Sequence, residues 1–229
     1  MAIEEDFSEW EIAGFGKMIS YGFGYVFVNY LLLYGLANLL YFYEVEMGLP
    51  FLYILIAGIV FALWNMVNDP LLGYLTDKPM KWTPKYGLRA PWVVICTPLV
   101  LIFFWLIWMP PQGASAMVMF LWFIIITCVF DTFFSIYNDH MYGGFTNQFP
   151  SEYERRRAFA VATIIMFITI TAMVVISSVF IEFGNPSSFI TWALVMIIIL
   201  GALSIIIFPG IRESKEMKQM LNSIYYKVK

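Results

Sequence analysis

The chain has 229 residues, of which 61% are hydrophobic, 19% are aromatic and 13% are charged, with a formal net charge of −3. Soluble domains carry roughly 25% charged residues, so this composition excludes an ordinary soluble protein and indicates one that lives in a lipid bilayer. The basic residues are too dispersed along the chain for a nucleic-acid-binding surface. We therefore expect lipid around the protein and no nucleic-acid partner.

Six apolar segments of about 18 residues or more follow one another along the chain, each long enough to cross a bilayer as a helix. Breaks rich in proline, glycine and serine separate the third segment from the fourth and the fifth from the sixth. We predict an all-α membrane protein with a cytoplasmic segment over 1–19, a six-helix bundle over 20–209 and a tail over 210–229. The predicted spans are 20–43, 51–76, 91–108, 116–142, 158–181 and 189–208.

The lysines and arginines give this bundle an orientation. They occur near both termini, in the connection between the second and third spans, and in the connection between the fourth and fifth. With six spans, all of these places lie on the same side of the membrane, which the positive-inside rule identifies as the cytoplasm. We therefore predict an integral membrane protein, of the plasma membrane, with both termini cytoplasmic.

The tail after Gly210 spaces Met217, Leu221 and Ile224 at helical intervals, with lysines on the other side. This pattern is typical of an amphipathic helix on the cytoplasmic surface. A solvated tail whose periodicity is accidental is the alternative.

Polar side chains inside the predicted spans are the candidates for function, because they are costly in lipid and usually face a protein interior or a cavity. Oxygen ligands from several helices suit a cation or a hydroxyl-rich solute; interhelical hydrogen bonds that only hold the bundle together are the alternative. Asp69 is the strongest candidate, and we expect it to lie in apolar surroundings. The polar residues are Asn29 in the first span, Asn65, Asn68 and Asp69 in the second, and Asp131, Ser135, Asn138 and Tyr142 in the fourth.

Motifs of enzymes are missing from the sequence. It contains no phosphate-binding loop, no Cys-x-x-Cys pair and no His-Glu-x-x-His motif. Its single histidine, His140, makes no metal site by itself. We expect no enzymatic activity, no bound metal and no cofactor other than a coupling Na⁺ or H⁺.

Three stretches resemble one family in the same order. "WNMVNDPLLGYLTDK" at 64–78, followed by "GLRAPW" at 87–92, resembles the second-helix and loop signature of the glycoside–pentoside–hexuronide:cation symporters, the melibiose-permease-like branch of the major facilitator superfamily. "SYGFGYVFVNYLLLYGLANLLYFYEVEMGL" at 20–49 and "YNDHMYGGFTNQFPSEYERRRAF" at 137–159 are similar to its first helix and to the end of its fourth. The resemblance implies the N-terminal half of such a fold, built from two three-helix units.

The resemblance also implies residue roles. The cation site would comprise Asp69, Asn65, Ser135 and Asn138; the substrate site Asn29, Trp64 and Tyr142, to which we add Asp131; and the cytoplasmic gate Asp77, Lys78 and Arg89. Asn65 stands where the family pattern has a second carboxylate, so both sodium and proton coupling are open. Thr163 stands where the melibiose permease has a sugar-contacting arginine, so sugar specificity does not transfer.

The function implied is half of a cation-coupled symporter for a small, sugar-like solute, working by alternating access with a second six-helix half or as a homodimer. A lysolipid-type transporter is the alternative within transport, because the family's animal relatives move lysophospholipids. A non-transporting membrane scaffold or partner subunit, and a truncated remnant, are the alternatives outside it.

Overall fold

The computed structural model describes residues 13–226. Five of its helices are long and apolar enough to cross a membrane, and the bent pair α1–α2 makes a sixth when its two parts are counted as one span. The predicted all-α membrane fold is confirmed, and the count of six spans holds with the bent pair taken as the first of them. The helices are α1 (Phe15–Tyr30, continued by the π-helical turn Leu31–Gly35), α2 (Leu39–Tyr41, continued by the π-helical turn Phe42–Glu46), α3 (Phe51–Thr76), α4 (Thr83–Tyr86), α5 (Ala90–Ile107), α6 (Ala116–Gln148), α7 (Glu152–Phe180), α8 (Pro186–Ile211) and α9 (Lys215–Tyr226).

The first span is broken, whereas the sequence predicted one continuous helix over 20–43. Its two parts, Phe15–Gly35 and Leu39–Glu46, meet at 43°. Gly35 precedes the break, and a Cβ there would lie 3.2 Å from the ring of Phe104 on α5. Glycine therefore allows α5 to approach at a point where it also weakens the helix.

The predicted connection between the fourth and fifth spans, 143–157, is mostly helical. α6 continues to Gln148, and α7 begins at Glu152. Ser151 starts α7 with a capping box: its Oγ accepts from the N–H of Glu154 at 3.2 Å, and the Glu154 carboxylate accepts from the N–H of Ser151 at 3.3 Å. The arginines at 155–157 therefore lie on the first turns of α7 and not in a loop.

The helix packing repeats after three spans. The first span packs through α1 against α7 and α8, and the fourth, α6, packs against α3 and α5 in the corresponding way. The third and sixth spans, α5 and α8, pack against each other. Exchanging the first three spans with the last three leaves this set of contacts unchanged, as expected for two three-helix units. α3 and α7 are the least buried spans of the bundle.

α9 lies against the loop between α3 and α5. Met217 and Leu221 on its apolar face are buried against Leu88. The Lys218 ammonium donates to the carbonyl of Lys85 at 3.4 Å. The periodicity of the tail thus corresponds to a helix that packs Met217 and Leu221 against the protein's own loop and leaves Ile224 exposed.

Candidate functional site

A buried carboxylate lies between α3 and α6. Asp131 of α6 is 8% exposed, and Nδ2 of Asn68 donates to its Oδ2 at 3.3 Å. The amide orientation of Asn65 that satisfies its neighbours places Nδ2 2.6 Å from the same oxygen. Asn65 and Asn68 are three residues apart on α3 and therefore share a face. Two amides of α3 thus hold one carboxylate of α6.

Asp69 has different surroundings from those predicted. It is exposed on α3 and not buried among apolar groups, because it follows Asn68 by one residue and so points about 100° away from the face that packs on α6. It remains close enough to Asp131 for the two negative charges to repel each other. The family pattern has a second carboxylate where this chain has Asn65. In the structure Asp131 of α6 supplies that second carboxylate.

The other predicted ligands of this site also belong to α6. Ser135 is buried one turn after Asp131, and Asn138 is half-buried about one turn further on. They continue the polar stripe of α6 beyond the carboxylate. The hydrogen bonds that tie Asp131 to α3 come instead from Asn65 and Asn68.

The predicted substrate residues separate into two groups. Asn29 of α1 donates to the hydroxyl of Tyr142 at 3.1 Å and to the carbonyl of Tyr25 at 2.8 Å. The rings of Tyr25 and Tyr142 meet edge to face with centroids 4.9 Å apart. Trp64 is 40% exposed on α3. Asp131, a predicted substrate residue, lies with the asparagines of α3 instead.

The predicted gate residues meet at the end of α3. The Arg89 guanidinium is 3.6 Å from the Asp77 carboxylate, while the Lys78 ammonium lies over the ring of Tyr74, 3.6 Å from its centroid. Arg89 also rests on Gly143 of α6, where a Cβ would be 2.2 Å from its Nη1. A side chain at 143 would therefore displace the arginine from the ion pair.

Glu213, just after α8, holds the loop that carries Arg89, and sequence reasoning missed it. Its carboxylate accepts from the backbone N–H of Leu88 at 2.9 Å and of Arg89 at 3.2 Å. Burial raises the pKa of Glu213 above its usual range, and the two N–H donors partly offset this effect. Gly87 has φ +94°, and a Cβ there would lie 1.6 Å from Oε2 of Glu213. The signal in the sequence was a glycine two residues before an arginine, which is too common to identify a partner 126 positions away.

Membrane-length segments arranged as two three-helix units, with a buried carboxylate of α6 held by amides of α3, are the arrangement of secondary transporters of the major facilitator type. The chain belongs to the MFS/sugar transport protein family, whose model matches residues 12–223.

The alignments with curated relatives cover a shorter part of the chain than the family model does. The chain is 35% identical over 69 residues to sodium-dependent lysophosphatidylcholine symporter 1 of Gallus gallus, an alignment that covers 30% of the chain and 12% of the relative. It is 33% identical over 93 residues to symporter 1-B of Danio rerio, covering 41% and 17% respectively. It is 31% identical over 75 residues to a sphingosine-1-phosphate transporter of Xenopus tropicalis, covering 33% and 14%. These relatives are named for lysolipids and related amphiphiles, and not for sugars.

Proposed function

We propose that the chain is one six-helix half of a sodium-coupled transporter for a lysolipid-type amphiphile, in place of the sugar-like solute expected from the sequence. It works by alternating access against a second six-helix unit, either a separate half or a second copy. The buried Asp131, held by Asn65 and Asn68 of α3 with Asp69 nearby on the exposed side of α3, is the observation that carries the coupling. The relatives named for lysophosphatidylcholine support the substrate class.

Sodium suits this site because of its charges and its oxygens. A hard cation prefers carboxylate, amide and hydroxyl oxygens, and it relieves the repulsion between the two carboxylates. Asn65 and Asn68 orient Asp131 through their amide nitrogens, which leaves their amide oxygens as further ligands. Ser135 and Asn138 supply additional oxygens along the same face of α6.

The remaining predicted residues take roles around this site. Asn29, Trp64 and Tyr142 contact the polar part of the substrate. Asp77 and Arg89 hold one side of the transporter closed, with Glu213 fixing the backbone that carries Arg89. Lys78 contributes positive charge at the surface. An exposed charge there adds little stability, since exposed ion pairs contribute only ~0–1 kcal/mol.

Sodium-dependent lipid binding tests the proposed function. The full chain, purified in detergent, is incubated with radiolabelled oleoyl lysophosphatidylcholine in NaCl or in KCl. Sodium should raise the lipid's affinity by ~10-fold, within the usual range of coupling between two ligands. Melibiose in excess should not compete. Saturable binding of melibiose without binding of the lipid would return the assignment to a sugar.

Orientation is tested by cysteine labelling. Gln112, Asn185 and Lys81 are exposed and lie in connections between spans. In a Cys96→Ala/Cys128→Ala background, single cysteines at 112 and 185 should react with an impermeant thiol reagent from outside intact cells. A cysteine at 81 should react only after the membrane is opened. Any other pattern would contradict cytoplasmic termini.

A further inference from the structure

An apolar cleft opens between the first span, α3 and α6. It has a volume of about 200 Å³. Its walls come from the break in the first span and the helix that follows it, and from the N-terminal halves of α3 and α6. The residues that line it are Leu36, Leu39, Leu40, Ala57, Gly58, Phe61, Phe123, Ile124, Thr127 and Cys128.

The cleft offers nothing to a polar ligand. Its one hydroxyl, that of Thr127, already donates to the carbonyl of Phe123 at 2.6 Å. Apolar cavities of this kind stay dry and accept hydrocarbon ligands. A water molecule occupies ~30 Å³ of liquid, and a methylene group is of similar size. The cleft therefore has room for several methylene groups, which is part of one acyl chain.

The cleft ends at the candidate site. Phe61 precedes Asn65 by four residues on α3, and Thr127 precedes Asp131 by four residues on α6, so the polar cluster lies about 6 Å further along both helices. Cys128 of the cleft wall is close enough to Asp131 for an electrostatic interaction between them. The apolar cleft thus lies about one helical turn from a carboxylate held by two amides.

We propose that this cleft binds the single acyl chain of the transported amphiphile, with the headgroup directed past the Asp131 cluster towards Asn29 and Tyr142, and that Gly58 makes room for the chain. The proposal rests on the function proposed above and adds the position of the lipid. Gly58 is exposed towards the cleft, and a Cβ built on it would meet no atom within 4 Å. A larger side chain at 58 would therefore fill the cleft without a clash in the bundle.

The test uses an oleoyl lysophosphatidylcholine with a diazirine near the end of its acyl chain. Photolysis with the full wild-type chain should place adducts within 57–61 and 123–128, mapped by peptide mass spectrometry. Gly58→Leu should remove these adducts and weaken lipid binding by ~10-fold, since each methylene displaced from an apolar site lowers affinity about fourfold.

Gly16→Leu is the matched control. Gly16 is exposed at the start of α1, its Cβ would also meet no atom within 4 Å, and it does not line the cleft. It makes the same exchange of glycine for leucine in a helix, so adducts and affinity should equal those of the wild type. A monodisperse peak in size-exclusion chromatography shows that each variant folds. If a variant does not fold, the adducts mapped on the wild-type chain still test the proposed site.

Three outcomes separate the two proposals. Saturable lipid binding with adducts only outside the cleft, or with Gly58→Leu unchanged, overturns the acyl-chain site and leaves the proposed function standing. Equal labelling of the cleft by a diacyl phosphatidylcholine probe also overturns it, because the cleft then holds bulk lipid. Absence of saturable lysolipid binding in the wild type overturns the proposed function, and the acyl-chain site with it.

Discussion

Removing the Asp131 carboxylate from α6 should abolish the sodium dependence of lysolipid binding. Placing a carboxylate at position 65 of α3 in the same chain should restore it. Asp131→Asn retains the size of the side chain but removes one of the two charges beside the cation. Lysolipid binding should then lose its ~10-fold sodium dependence, because a site with a single carboxylate binds sodium more weakly. Asn65→Asp in the same chain returns the charge to the neighbouring position, which lies 2.6 Å from Asp131 in the wild type. The double variant should bind sodium again.

The matched comparison is Asn65→Asp alone. This variant places a third carboxylate beside Asp131 and Asp69, so repulsion should favour protonation of one of them and make sodium binding depend on pH. The measurement is lysolipid affinity across a sodium titration for the wild type, the two single variants and the double variant. Equal sodium dependence of the wild type and Asp131→Asn would exclude Asp131 from the cation site.

Adding one methyl group at Gly87 should destabilise the loop that carries Arg89 far more than the same change at Gly48. Both glycines have positive φ, +71° at Gly48 and +94° at Gly87, and alanine in such conformations costs roughly 1–3 kcal/mol of backbone strain. Gly87, with ψ 176°, lies in a region essentially restricted to glycine and is therefore at the upper end of that range. At Gly87 the methyl would also occupy the position of the Glu213 carboxylate, 1.6 Å from Oε2. Displacing Glu213 leaves the N–H groups of Leu88 and Arg89 without their acceptor, at ~1–3 kcal/mol each.

Gly48→Ala is the control because a Cβ at Gly48 meets no atom within 4 Å. Thermal unfolding in detergent should therefore show a small shift for Gly48→Ala and a several-fold larger one for Gly87→Ala. Reaction of a cysteine at Thr76 with a thiol reagent should accelerate in Gly87→Ala alone, since Thr76 is buried at the end of α3 beside the Asp77–Arg89 pair. Equal shifts for the two variants would show that Glu213 does not hold this loop.

The sequence by itself determined the class of the protein. Membrane spans are set by length and hydrophobicity, which are local properties, so α3 was predicted with both of its ends and α5 within one residue. The capping signal Ser-x-x-Glu at 151–154 is equally local and marks the true start of α7, whereas the apolar pattern alone had placed the start of this span at 158. The polar stripe of α6 was readable from its spacing alone.

Only the tertiary structure decided which polar groups meet. Helical spacing gives the face of a residue but not the helix opposite it, so Asp131 was separated from Asn65 and Asn68 although the structure joins them. Asp69 was expected to be buried because its span is apolar, yet its burial depends on which side of α3 packs against α6. Glu213 and Gly87 are 126 positions apart, and only the packing of α8 against α5 brings the carboxylate to the loop, because no local preference encodes a contact between distant segments.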